Sequence, residues 1–223
     1  MYLLQGYFSG ENADSPRWLY YRKRTEGQNT LVVNKQNQEL TAQPTAKYDS
    51  SNTTQGSSTV ADIPSDSTGF FTADLTSSYG GTSIKRGLRL INARKQVLLQ
   101  DDISNAATAV QWRMHTNATI TISSSGTSAS LALGGKTLQV SLLNPGSLKF
   151  TTAQPVRYSS DPALPSGQTD QDNKGVTVLV IEIPSGTTSV QVLFNPQWDG
   201  VSADSFKTPG AVDVDAWTLR SHD

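Results

Sequence analysis

The chain has 223 residues, 35% of them hydrophobic, enough to bury a sizeable core in one large domain or two closely packed ones. Its formal net charge is −1, so no global field draws it to nucleic acid or to a membrane surface, and any basic binding surface must be local. The absence of cysteine excludes disulfides, thiolate chemistry and Cys-ligated zinc.

No apolar run approaches the roughly 18 residues needed to span a bilayer as a helix. The opening MYLLQGYFSG lacks the positive n-region and small-residue cleavage site of a signal peptide. Next comes YYRKRTEGQNTLVV, residues 20–33, with two phenols and three cations ahead of an amide pair and an apolar run. Read as a strand, it sends Tyr20 and Tyr21 to opposite faces, with Arg22 and Arg24 on one face and Lys23 on the other. The cluster is either a solvated edge whose cations discourage edge-to-edge pairing, or a wall whose guanidinium pair grips a carboxylate. Gln28 and Asn29 form either a turn before the apolar run or hydrogen-bonding partners for sugar hydroxyls.

Residues 34–67, dominated by Gln, Asn, Ser and Thr, read as a polar surface excursion. Sequons occur at Asn52-Thr53-Thr54 and Asn117-Ala118-Thr119; they matter only in a eukaryotic secretory route. Beyond the excursion, period two dominates. Val110, Trp112 and Met114 alternate with Gln111, Arg113 and His115; Leu138, Val140 and Leu142, and then Val190, Val192 and Phe194, repeat the pattern. VTVLVIEI, 176–183, is apolar on both faces and β-branched, as a central strand covered on both sides should be. Gly- and Pro-bearing turns at 123–128, 133–136, 144–147 and 183–188 separate these runs. Residues 156–174 read as a second loop, and 211–223 as a C-terminal strand and tail anchored by Trp217. These signals predict an all-β fold: one large antiparallel β-sandwich or stacked-sheet domain over 1–223, with long polar loops.

On the wet-side reading, Gln111, Arg113 and His115 are simply the solvated face of a sheet; on the other reading His115 faces a ligand. Trp198, between turn signals, is the tryptophan placed to stay exposed. Asp101-Asp102 and the acidic loop near Asp170 and Asp172 lack the spacing of a dedicated calcium loop.

WLYYRKRTEGQNTLVVN resembles a segment of the heparinase II/III-like polysaccharide lyases, W-x-Y-Y-R-x-R-T-E-G-H-N-T-L-x-x-N. The likeness continues through RGLRLINARKQVLLQDDI and VQWRMHTNATITI, with its W-x-x-H-T element. It implies the C-terminal β part of a longer, secreted enzyme of fungal type, whose missing N-terminal helical domain closes a cleft for acidic polysaccharide. In such enzymes uronate-containing polymers are cleaved by β-elimination. The resemblance implies that Arg22 and Arg24 engage the uronate carboxylate and that Tyr20 or Tyr21 assists proton transfer. Gln28, Asn29 and His115 would orient substrate. The departure is at Gln28, where relatives carry a histidine that looks like a zinc ligand. An amide replaces imidazole poorly on zinc, and His115 and His222 are the only histidines, so no bound metal and no cofactor are expected. The competing expectation is a non-catalytic carbohydrate-binding or structural module, and this chain alone is expected to be inactive.

Overall fold

The computed structural model describes residues 6–50, 67–144 and 146–222. The sequon at Asn52 and most of the polar tract behind it lie outside the described residues. Among the described residues there is no α-helix; short 3-10 turns join twelve strands. In chain order these are β1 (Leu31–Val33), β2 (Thr45–Ser50), β3 (Ser67–Asp74), β4 (Ser83–Ile91), β5 (Gln96–Ala106) and β6 (Val110–Thr116). They continue with β7 (Thr119–Ile122), β8 (Ser128–Leu133), β9 (Lys136–Leu142), β10 (Phe150–Ala153), β11 (Thr177–Ile183) and β12 (Gly186–Pro196). The fold is all-β, as the alternation predicts. The polar excursion is not all loop, because β2 lies inside it and pairs with β3.

The strands form two antiparallel sheets, a small one ordered β1-β6-β11-β10 and a large one ordered β2-β3-β4-β5-β12-β9-β8-β7. The runs with clean alternation supply the layer between them. Leu31, Val110, Trp112, Leu179, Ile181, Ile183 and Phe150 of the small sheet meet Ile84, Leu99, Ile103, Leu131, Val140 and Val192 of the large one. Each gains roughly 1.5–3 kcal/mol from leaving water. Local chemistry sets the register: Gly134 and Gly135, at φ 56° and 74°, close the β8–β9 hairpin so that Leu133 faces Lys136.

The outer face of the large sheet is covered by the chain's end. Residues 211–222 form a 3-10 turn, Val214–Ala216, and no strand, which corrects the expected C-terminal strand. Trp217 is the anchor nevertheless, fully buried against Phe70, Ile91 and Leu98. A Cβ on Gly87 would lie 2.5 Å from the Trp217 ring, so this strand position admits only glycine beneath the indole. Arg89 holds the tail by donating to the carbonyls of Thr218 and Leu219. A tail that lies across side chains and is held through its carbonyls has no need of a ladder.

Candidate functional site

The outer face of the small sheet carries Val32, Gln111, Arg113, His115, Val178, Val180 and Glu182, by the register of β1, β6 and β11. Solvent does not reach most of it: Val178, Val180 and Arg113 are buried. Two straps cover it, residues 16–29 and the loop 154–176, which contains no strand.

The first strap is not a strand, and the parity expectation for 20–24 fails. Ser15 caps a 3-10 turn that starts at Pro16, and two more follow at Tyr21–Lys23 and Thr25–Gly27. The coiling is held by Lys23 N–H donating to Tyr20 O (2.8 Å) and Gln28 N–H to Thr25 O (3.1 Å). Gly27 permits it: a Cβ there would sit 2.0 Å from the Tyr21 carbonyl oxygen. With three residues per turn, Arg22 and Arg24 are not on one face. Arg22 is exposed, its Nε donating to Asn173 Oδ1 (2.7 Å) and an Nη to the Asp172 carbonyl (3.0 Å). Arg24 is buried between two carboxylates, Glu26 at 2.5 Å and Asp161 at 2.8 Å. Its guanidinium is therefore committed within the protein, tying strap to loop. Tyr20 and Tyr21 are both buried, and the Tyr21 N–H donates to Asp170.

Tyr21, Arg113, His115 and Asn29 do come together. The Tyr21 hydroxyl lies 2.7 Å from His115 Nε2, and an Arg113 Nη donates to the same hydroxyl at 3.1 Å. Asn29 Oδ1 accepts from the His115 backbone N–H (2.8 Å) and lies 3.0 Å from His115 Nδ1. The backbone donor identifies that atom as oxygen, so Nδ1 carries the proton and Nε2 receives the phenol's. Burial, with the Arg113 charge second, lowers the His115 pKa to about 4. Burial also raises that of Tyr21, against the opposing pull of Arg113. Both groups are neutral at pH 7 and joined by one proton. Gln28 is exposed and donates to the Arg22 carbonyl at 2.8 Å, which keeps it beside Arg22.

Four contributors escaped the sequence reading: Arg113, Glu26, Asp161 and Tyr158. Arg113 holds the strap through the Glu26 carbonyl (2.8 Å), and Tyr158 donates to Gln111 (2.8 Å). Nothing local signals that a strand's polar side is roofed by distant segments. Of the acidic residues weighed for calcium, the Asp101-Asp102 pair is engaged internally, Asp101 in a bidentate pair with Arg86 at 2.7 and 2.9 Å and Asp102 as acceptor for the Val214 N–H. The residues around Gln28 do not fit zinc, since His222 lies edge-on to Trp217 in the tail and no cluster of three metal-ligating side chains occurs among the described residues.

These features define a class: a two-sheet antiparallel β-domain whose smaller sheet carries a strapped polar face. Residues 5–191 match the family model described as Heparinase II/III-like, C-terminal, and the chain belongs to that family. Among solved structures, two of heparinase III, the BT4657 gene product, share the fold, one of them with methylated lysines. They are 13% identical with TM-scores of 0.53 and 0.54, and the match covers 85% of this chain. The chain spans about a quarter of their length, 26% and 27%. No curated protein matches it.

Proposed function

We propose that this chain is the C-terminal β-domain of a longer, secreted polysaccharide lyase, and that the strapped face of its small sheet lines one wall of a cleft for uronate-containing polysaccharide. A helical domain of the same protein, preceding it, completes that cleft. The observation that carries the reading is the hydrogen-bonded group of buried Tyr21 and Arg113 with half-buried His115 and exposed Asn29, on a strap that also exposes Arg22 and Gln28. β-Elimination needs the uronate carboxylate neutralised before its neighbouring carbon proton can leave, and then an acid for the departing oxygen. Arg22 keeps one Nη without a hydrogen-bond partner among the described residues to meet that carboxylate, whereas Arg24 acts by fixing the strap. Asn29, held by His115, orients a sugar hydroxyl through its amide nitrogen. Tyr21 is the phenol joined to a proton-accepting group, and Tyr20 packs beneath the strap against Tyr7.

In this chain by itself, both His115 nitrogens are engaged and Tyr21 is buried, which favours a second reading: binding without cleavage. Ultraviolet absorbance of unsaturated uronates separates the two. Uronans incubated with the full-length protein are expected to yield the band, and this chain alone is expected to bind them without yielding it. Arg22→Ala should weaken uronan binding about tenfold, roughly 1.4 kcal/mol. Unchanged binding in that variant would remove Arg22 from the cleft.

A further inference from the structure

The Asn117-Ala118-Thr119 triplet falls where β6 leaves the small sheet and β7 begins in the large one. Ala118 packs on the core with Ile120 and Ile122, while Asn117 and Thr119, two positions apart, are both exposed. The turn is closed without the asparagine: the Ala118 N–H donates to Thr116 Oγ1 at 3.0 Å. Neither the Asn117 amide group nor the Thr119 hydroxyl makes a hydrogen bond among the described residues. The backbone does not require asparagine there either. Asn34, Asn92 and Asn105 sit at φ of 51°, 51° and 60°, a region asparagine tolerates better than most residues, but Asn117 is not at positive φ. Its side chain is spare in the fold. With threonine two residues on and no proline between them, it is a complete acceptor for an N-linked glycan.

The strand that follows has a use for such a group. β7 is the outermost strand of the large sheet and is bonded to β8 alone, so its far side finds no strand partner among the described residues. An open edge of this kind invites pairing with another chain unless charge, proline or a covering segment prevents it. The strand reads Thr-Ile-Thr-Ile, β-prone residues with neither a charge nor a proline. At the opposite edge of the same sheet, β2 carries Lys47 and Asp49. At β7 the acceptor triplet occupies the place of those charges, with Thr119 as the first residue of the strand.

We propose that Asn117 carries an N-linked glycan and that this glycan shields the open edge of β7. The step is a group transfer without oxidation or reduction. The Asn117 amide nitrogen bonds to the anomeric carbon of a lipid-pyrophosphate-linked oligosaccharide. The bond from that carbon to the pyrophosphate oxygen breaks, the lipid pyrophosphate leaves, and the amide gives up one proton. Thr119 supplies the hydroxyl that completes the acceptor. A bulky, hydrated oligosaccharide at the start of a four-residue strand keeps a second strand from docking along it. The inference rests on the secreted part of the proposed function and is independent of the uronate wall.

The test uses the full-length protein made in a eukaryotic secretory host and treated with the amidase that converts a glycan-bearing asparagine to aspartate. Peptide mass spectrometry is expected to read aspartate at position 117 in the parent and in Thr119→Ser, and asparagine in Thr119→Ala. Asparagine at 117 in the treated parent would overturn the assignment while leaving the secreted reading intact. Modification in that host but not in protein from its native source would instead overturn the secreted reading, on which the glycan depends. Uronan binding, measured on the same samples, reports on the cleft separately. Asn117→Gln is expected to melt with the parent yet scatter light about twofold more strongly at equal concentration, as its uncovered edges pair. Equal scattering from the two would overturn the shielding role.

Discussion

Glu26 shows how far one side chain departs from its surface behaviour. It is fully buried, and its carboxyl is raised to about 7, first by burial and then by the hydrogen bond to Asp161, against the pull of Arg24. A carboxyl raised in the folded state binds its proton where the unfolded chain has lost it. Its stabilising effect is complete below the ordinary carboxyl range and fades as pH rises towards about 7. His115 works the other way: lowered to about 4, it stabilises above the ordinary imidazole range and loses that contribution as pH falls. Glu26→Gln should therefore gain stability relative to the parent between pH 4.5 and 7, by about 2–3 kcal/mol at the upper end. Urea denaturation at a series of pH values reads it, and a difference independent of pH would show that Glu26 is ionised throughout.

At the scale of elements, the tail does for the large sheet what the straps do for the small one. Both are irregular segments fastened by side chains instead of ladders, and each rests on one glycine: Gly87 beneath Trp217, Gly27 against the Tyr21 carbonyl. Trp217→Ala should cost about 3–5 kcal/mol, seen as a fall of roughly 10 °C in the melting midpoint. Gly87→Val should act in the same direction, because its side chain must occupy the space of the indole. A Gly87→Val protein melting with the parent would mean that the tail lifts off without consequence.

Across the whole molecule the two sheets are unequal, and the inner face of the larger one runs past the smaller. Tyr48 (71% exposed), Phe71 (41%), Leu88 (37%) and Leu90 (37%) remain in contact with water there. Their register places them on the face that elsewhere packs inward, since Leu88 pairs with buried Leu99 and Phe71 with Leu88. An apolar surface of this kind binds polarity-sensitive dyes. The folded protein should enhance such a dye's fluorescence, and Leu88→Lys with Phe71→Lys should lower that enhancement at least twofold without moving the melting midpoint by more than a few degrees. Enhancement unchanged by the pair would locate the apolar surface elsewhere.

Alternation along a strand is a local property, and it made β6, β9, β11 and β12 legible: a side chain's face depends on its neighbours two positions away. The burial of VTVLVIEI on both faces was legible too; motif likeness singled out the strap with Tyr21 and Asn29 and the strand with His115, which the structure brings into contact. The coiling of 20–27 was not, because a run of Tyr, Arg and Lys suits a strand or a 3-10 turn equally until Pro16 and Gly27 meet their surroundings. Nor could spacing show that Arg24 is buried. Its partner Asp161 lies 137 residues away in sequence, and only the packing of a distant loop across the sheet decides which cations face solvent. The sequence alone determined the layers and their inward faces. Tertiary structure alone decided which polar groups are spent holding the protein together and which are left to meet a ligand, since that depends on contacts no local pattern encodes.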